Sequence, residues 1–500
     1  MYIYTAEEMK AIDANTVMGN EDKSLELMEN AAKSIYQILS DRIAGKKKHK
    51  NMLVVCGKGN NGGDGLALAR MLGNDGFNVK VLIAATESIL SRDAAIELKR
   101  LKISNDDILF LHNTEKPKLE EIINESDLII DAIFGTGFKG EIGEDLWVVI
   151  EEINKSKAAV ISVDIPSGLD GNTGRASEKA VKADYTIVVD SLKTGNLLGE
   201  AADYNGEIIV GDDIGLDKSH APVDKILLSG KIAGKMKKRK ASGHKYDFGN
   251  LVVAGGSVGM TGAPLISAKA GLESGCGLST VLIGKEAYGH CHSPWPEVMI
   301  KPYENEEDFD LLIEKASAVV FGPGLGMDEK YDKILLRILK KQLPVVVDAD
   351  GILRLNRIRD QLILKEQSLI LTPHCGEMAK LFRVKTKDVL NNPTYFVKSA
   401  VECYNAVVVL KGPCTLVGDK SGLWFFYKPN SGMATGGSGD VLAGIIGGLS
   451  AQGYDVLDSA KKGVVIHGSA GNMAKIEKNE WGMCATDIIN NIYKGIEPLI

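Results

Sequence analysis

The chain has no cysteine framework. Its seven cysteines (56, 276, 291, 375, 403, 414 and 484) include no C-x-x-C pair, and an odd, scattered set suits reduced thiols rather than disulfides or structural zinc. No window approaches the roughly 18 uninterrupted apolar residues of a membrane span. The start, Met1-Tyr-Ile-Tyr-Thr5-Ala-Glu-Glu8, carries no signal-peptide pattern, so a cytoplasmic protein is expected. Charge of one sign is also scarce: a formal −7 over 500 residues speaks against an extended nucleic-acid surface. Low-complexity tracts, short repeats, a Walker A sequence, a zincin motif and metal-spaced His/Cys clusters are all missing. What remains is an ordinary globular composition, too long for one core, which points to two or three domains.

A repeated α/β rhythm fills that length. After an opening helix capped by Thr5 with Glu8 three residues on, apolar runs occur at Met52-Leu-Val-Val-Cys56, Val79-Lys-Val-Leu-Ile83, Asp127-Leu-Ile-Ile-Asp131, Ala159-Val-Ile-Ser-Val163 and Tyr185-Thr-Ile-Val-Val189. The rhythm restarts at Asn250-Leu-Val-Val-Ala254, Ala318-Val-Val-Phe321, Val345-Val-Val-Asp348, Leu369-Ile-Leu371 and Val407-Val-Val-Leu410, ending in three helical segments after residue 440. Near-continuous apolar strands alternating with helices predict two mostly parallel sheets covered on both faces. The boundary is placed near residue 220, giving domains 1–218 and 225–500. The basic run Lys235-Met-Lys-Lys-Arg-Lys240 reads as a solvated linker, or as a landing strip for phosphate-rich ligands near a second site.

The most informative stretch is Thr435-Gly-Gly-Ser-Gly-Asp440. Its glycines let backbone N–H groups converge, the following Val441-Leu-Ala-Gly-Ile-Ile446 reads as a buried helix, and Asp440 is expected at that helix's first residue. A helix N-terminus attracts phosphate. A carboxylate there would repel phosphate unless it takes a proton from a hydroxyl attacking phosphorus; the alternative is a turn whose Asp only caps the helix. Gly322-Pro-Gly-Leu-Gly326, Asp348-Ala-Asp350-Gly351, Thr372-Pro-His374-Cys-Gly-Glu377 and Lys411-Gly-Pro-Cys-Thr415 all follow strands, so they can surround one crevice. His374 is either a structural histidine or a substrate contact. Gly255-Gly-Ser257-Val-Gly259 mimics a hydrolase elbow, but Met260-Thr-Gly-Ala intervenes before Pro264, so a ligand loop is the better reading.

In the first half, Gly57-Lys-Gly59-Asn-Asn-Gly62 matches a dinucleotide loop literally. The continuation Gly63-Asp64-Gly65 places a negative charge where pyrophosphate would sit. Asn60, Asn61 and Asp64 instead offer oxygens suited to a hard cation. Asp131 and Asp164 end two further strands, leading into Gly135-Thr-Gly137 and Pro166-Ser167-Gly-Leu-Asp170, where an open α/β sheet places its ligands.

These first-half loops, over roughly residues 1–215, resemble the NAD(P)H-hydrate epimerase family. Residues 225–500 resemble the ribokinase-like superfamily and, within it, the ADP/ATP-dependent NAD(P)H-hydrate dehydratases, through His244-Lys245, Gly255-Gly-Ser, Thr261-Gly-Ala263-Pro and the strand-end loops above. The resemblance implies a Rossmann-like first domain and a ribokinase-like second one. It implies potassium on Asn61, Asp131 and Ser167, and epimerase substrate contacts from Asn60, Asn61, Gly62, Gly63, Asp64, Gly135, Thr136, Gly137, Phe138, Lys139, Gly140, Glu141 and Asp164. In the second domain, Ala263, Gly326, His374 and Asp440 would touch the hydrate, and Lys411, Gly412, Pro413, Cys414, Thr415 and Gly439 the adenine nucleotide. Asp164 and Asp440 would be catalytic. ADP as phosphoryl donor (ATP the alternative), magnesium and a homo-oligomer, tetrameric or larger, complete the expectation, with no nucleic-acid or membrane partner. Ser438 stands where relatives often have Thr, and Ser431 where they often have Pro. Rival readings are a ribokinase-like small-molecule kinase fused to a nucleotide-binding domain, an NAD-dependent dehydrogenase, and a non-catalytic sensor or scaffold.

Overall fold

The computed structural model describes residues 1–43, 50–362 and 368–500. They form two compact units, 1–225 and 226–500.

The first unit is built on a 7-stranded sheet. Across it the strands run Ile108–Phe110, Asn78–Ile83, Asn51–Cys56, Leu128–Ala132, Ala159–Val163, Tyr185–Val188 and Glu207–Val210, all parallel. Period-2 alternation sends Met52, Val54 and Cys56 into a core with Leu66 and Leu72 of the helix Asn60–Asn74. Leu53 and Val55 go to the other face, with Ile122 of Lys116–Asn124 and Ile150 of Glu144–Lys155. Both faces are therefore covered, as the apolar strands require. Chain order reverses between Asn51–Cys56 and Leu128–Ala132, so a crevice opens beyond their carboxyl ends. The opening helix Ala6–Val17 carries the expected capping box, with Glu8 N–H donating to Thr5 Oγ1 (3.1 Å) and Thr5 N–H to Glu8 Oε2 (2.7 Å).

The second unit has a 10-stranded sheet. Met299–Tyr303, Leu278–Gly284, Asn250–Ala254, Ala318–Phe321, Val345–Val347, Leu369–Leu371 and Val407–Leu410 are parallel neighbours in that order. The antiparallel strands Cys414–Asp419 and Gly422–Tyr427 extend it, and Lys225–Leu227 forms the edge. Here the order reverses between Asn250–Ala254 and Ala318–Phe321. The buried helix expected after the glycine loop is Ser438–Ala451. Val456–Gly482, Ala485–Asn490 and Ile492–Ile496 follow, so four helices rather than three close the chain; the turn at Asn491 divides the last two.

Ser438–Ala451 runs parallel to Gly262–Glu273, registered by Ser267 against Gly444 and Gly271 against Gly448. A Cβ on Gly444 would stand 2.1 Å from the Ser267 carbonyl oxygen. Only glycine admits that approach.

The basic run 235–240 is tied down at the far end of this helix pair. Lys237 Nζ donates to Gly453 O (2.5 Å) and Arg239 Nη1 to Gly275 O (3.1 Å), each just beyond a helix C-terminus. Cations there complement the helix dipole. Both helices begin at the site loops, so these two side chains lie a helix length from them, which supports the linker reading for Lys237 and Arg239.

Candidate functional site

In the first unit a cavity of ≈ 670 Å3 opens beyond the strand ends and beneath the two N-terminal helices. Asn60, Asn61, Asp64, Gly135, Thr136, Gly137, Phe138, Lys139 and Asp164 all line it. Gly62, Gly63, Gly140 and Glu141 do not. Gly62 is needed for packing, since a Cβ there would lie 1.9 Å from the Gly57 oxygen, and Gly63 abuts Met28. Glu141 accepts from the Glu178 N–H at 3.3 Å.

Asp131 is fully buried and accepts from Ser162 Oγ (2.8 Å), Ser167 N–H (2.9 Å), Ser167 Oγ (2.5 Å) and Ile133 N–H (3.3 Å). Burial pushes its carboxyl above the usual range, and those donors pull it back. Ser167 Oγ also accepts from Phe134 N–H (2.9 Å). A Cβ on Gly135 would be 3.4 Å from Asn61 Oδ1, so Asn61 abuts the same loop. Among the described residues Asn61 Nδ2 is buried without a hydrogen-bond partner. Amide, carboxylate and hydroxyl oxygens around one turn form a hard donor set, which fits an alkali cation.

Asp164 occupies left-handed backbone space at φ 69°, uncommon for a residue with a Cβ. Its carboxylate pairs with the buried ammonium of Lys193. Burial, with the charges of Asp164 and Asp13 adding to it, holds the Asp64 carboxyl well above its ordinary range, and Lys193 opposes them. Asp13 and Lys193 line the cavity unforeseen by the sequence reading. Lys193 follows the strand Tyr185–Val188, so the strand-end rule that found Asp164 could have found it.

In the second unit contacts run continuously from Ala263 to Asp440. Ala263 packs at the Gly324 turn, and Ser257 Oγ donates to Gly324 O (2.9 Å), so that serine is a loop tie rather than a nucleophile. Gly326 N–H donates to Asp350 Oδ2 (2.9 Å), and Gly326 O accepts from Arg354 Nη2 (2.6 Å). His374 caps the helix Cys375–Phe382, its Nδ1 accepting from Gly376 N–H (2.9 Å) and Glu377 N–H (3.3 Å). A neutral ring in that role carries its proton on Nε2. A parallel bridge joins His374 to Lys411. Lys411 Nζ donates to Asp348 Oδ1 (2.7 Å), which also accepts from Thr372 Oγ1 (2.8 Å). Burial alone would lower Lys411; Asp348 and Glu377 hold it raised. A Cβ on Gly439 would sit 3.2 Å from Lys411 Nζ, so the ammonium stands over the glycine loop. Thr415 Oγ1 bonds to Gly412 O (3.3 Å), closing the 411–415 turn, and Cys414 is buried behind it.

Asp440 is the third residue of its helix, not the first. Gly437 at φ 89° starts the helix at Ser438. Burial first, then the charges of Asp348, Glu377 and Asp350, raise the Asp440 carboxyl to about 7 against the opposing Lys411. His467, also unforeseen, lies behind the loop with Nε2 3.4 Å from Ser438 Oγ, and burial lowers its imidazole to about 4. The arrangement combines an anion-binding helix start, a lysine above it and a carboxyl poised to accept a proton near neutrality.

Comparison with known proteins fits both units. Residues 251–494 match the NAD(P)H-hydrate dehydratase family, and 24–195 the family described as YjeF-related protein N-terminus. A ribokinase-like superfamily protein from Enterococcus faecalis, whose structure is solved, is 27% identical with a TM-score of 0.49, covering 55% of this chain and 95% of its own. The bifunctional NAD(P)H-hydrate repair enzyme Nnr of Coxiella burnetii is 35% identical over 95% of this chain and 95% of its own. That of Escherichia coli is 33% identical over 95% of this chain and 90% of its own. Among the described residues no helix is long and apolar enough to cross a membrane. With both units matched in sequence and likeness sustained along nearly its whole length, the chain belongs to the family of bifunctional NAD(P)H-hydrate repair enzymes.

Proposed function

We propose that the two sites divide the repair of hydrated nicotinamide nucleotides, the first unit interconverting the R and S hydrates and the second dehydrating the S form. Hydration of the 5,6 double bond leaves a hydroxyl at C6, beside the ring nitrogen, and hydroxide is a poor leaving group. In the second unit Asp440 takes the C6 hydroxyl proton as that oxygen attacks the terminal phosphorus of ADP. The N–H groups of the 436–439 loop and Lys411 stabilise the transferring phosphoryl group. The ring nitrogen's lone pair then expels phosphate to give an N1=C6 iminium, and loss of a C5 proton to water restores the 5,6 double bond, leaving AMP and inorganic phosphate. The observation that carries this reading is Asp440 itself: in the first turn of the anion-binding helix, raised to about 7, it accepts a proton near neutral pH where a solvated aspartate would be a weak base. Ala263, Gly326 and His374 line the hydrate's side, and 411–415 with Gly439 the nucleotide's. Magnesium bound to the nucleotide would neutralise phosphate charge.

A pocket that aims C6–OH at phosphorus serves one epimer. In the first unit Asp164 acts as base at C6, in a cavity roomy enough for a dinucleotide's reactive end. Asn61, Asp131 and Ser167 would hold potassium, which would supply positive charge facing the substrate. The second reading, a small-molecule kinase, shares the Asp440 geometry but predicts a phosphorylated product that persists.

The test follows absorbance near the NADH band with mixed R and S hydrate, magnesium and potassium, started with ADP or ATP. Full recovery, faster than uncatalysed epimer exchange and with stoichiometric phosphate release, is expected. Recovery that stops at the S fraction removes the epimerase reading; a stable phosphorylated product favours the kinase.

A further inference from the structure

We propose that Lys193 is the positioning residue of the epimerisation site, holding Asp164 so that Oδ2 alone is left to take the C6 hydroxyl proton. The inference rests on the reading of the first unit as the epimerase and adds to it a residue and a chemical route.

One short turn holds Asp164 from both ends. The strand Leu192–Lys193 leads into Thr194–Asn196. Lys193 Nζ reaches the carboxylate Oδ1 and also donates to Val189 O (3.0 Å). Asn196 Nδ2 donates to the Asp164 carbonyl (3.0 Å), while Asn196 Oδ1 accepts from Lys193 N–H (2.8 Å). Asp164 N–H donates to Ile187 O (2.7 Å), completing the ties that keep its backbone at φ 69°. Val189 N–H donates to the same Oδ1 (3.2 Å). Oδ1 is thereby occupied twice, and among the described residues Oδ2 takes no hydrogen bond.

The pairing is selective. Asp190 also lines the cavity, but its carboxylate is matched by Lys218 Nζ (2.7 Å), and Lys139 at the rim is matched by Glu7 (2.6 Å). Lys193 is 3% exposed. An ammonium so deep is tolerated only when paired, and its partner is Asp164, whereas Asp13 and Asp64 face the cavity with no ammonium bonded to them in the hydrogen-bond network described.

With Oδ1 taken by Lys193 and Val189, the open Oδ2 is placed to accept the C6–OH proton, the first step of a ring opening. Oδ2 removes the C6–OH proton, the O–H electrons form C6=O, and the C6–N1 bond breaks with its pair on nitrogen. Asp164 delivers the same proton to N1. The open aldehyde then turns and recloses by the reverse steps on its other face, so Asp164 returns to its starting state and nothing is consumed.

The test measures R/S exchange by NMR on the full chain in 18O-labelled water for wild type, Lys193→Met and Lys193→Arg, with the amide NMR fingerprint of the first unit as the fold control. Wild type is expected to exchange epimers while retaining the original C6 oxygen through most turnovers. Lys193→Met should lower kcat about 100-fold with KM within about threefold, and Lys193→Arg should recover about tenfold of the loss. Unchanged kcat in Lys193→Met, or a loss carried by KM and not eased by arginine, overturns the positioning role. Label entering C6 at every wild-type turnover overturns the ring-opening route even if Lys193→Met does not fold. Wild-type exchange no faster than the uncatalysed rate would instead defeat the epimerase reading itself.

Discussion

Each unit sets a lysine among several carboxylates at its site, and the two use it differently. In the first, Lys193 binds Asp164, the proposed base, directly. In the second, Lys411 binds Asp348, and Asp440 is left among like charges. The same residue types therefore yield an ion-paired carboxylate in one crevice and a carboxyl that ionises near neutrality in the other. Which acid the lysine touches is a matter of loop geometry rather than composition.

Asp440→Asn should break the comparison most cleanly. Dehydration, followed as regained NADH absorbance, is expected to fall by about 10^3, while epimer exchange in the same preparation persists; loss of both in a folded protein would defeat the two-site assignment. Lys411→Met ranks next. It removes the cation above the glycine loop, for about 10^2 in dehydration rate, and leaves Asp348 buried without its partner, so urea unfolding of the second unit should register a loss of about 3 kcal/mol.

The contrast can also be sharpened by pH. As a base, Asp440 must be ionised, so kcat/KM for dehydration should climb tenfold per unit below about 7 and level off above it. Asp348→Asn removes a repelling charge and should move that limb downward; a profile unmoved by the substitution would mean that Asp348 does not tune Asp440. For stability the sign is the reverse of an ion-paired acid. The folded chain holds an extra proton on Asp440 between the unfolded value of 3.8 and about 7, so this group's contribution declines as pH rises through that window and stays low above it. Thermal unfolding of Asp440→Asn should accordingly show gained stability, of about 2–4 kcal/mol at most, at about pH 8 and little change near pH 4. The smallest effect is expected from Thr5→Ala. Losing that cap should cost about 1 kcal/mol and, because Ala6 and Met9 line the first cavity, raise KM for epimerisation without altering dehydration.

Both sheets were legible where strands lie at their centres. Met52-Leu-Val-Val-Cys56 is buried on both faces and announces itself as a continuous apolar run. Edges were not. Ile108–Phe110 is three half-buried residues, and Met299–Tyr303 carries Lys301 and Pro302 as an exposed margin, so neither has a period to read. The strand-end loops could be placed because glycine, proline and aspartate cluster there for stereochemical reasons. Lys193 lies past a strand end between Asp190 and Gly195, where the same rule reaches it but nothing in the sequence names Asp164 as its partner, and His467 meets Ser438 across 29 positions on another helix, a contact only the folded chain creates. Asp440 was found by its motif yet misplaced by two positions, because the φ of Gly437, not the first apolar residue, decides where the helix begins.

The glycine-lined contact between Gly262–Glu273 and Ser438–Ala451 has a dynamic consequence. With backbone against backbone at Gly444 and Gly448, neither helix can open without the other. Amides along both should exchange with deuterium only when the whole second unit unfolds, whereas those of 435–437 should exchange through local fluctuation. Nucleotide binding should therefore slow exchange in a few loop residues mounted on a helix pair that does not respond, making the loop a local reporter of occupancy.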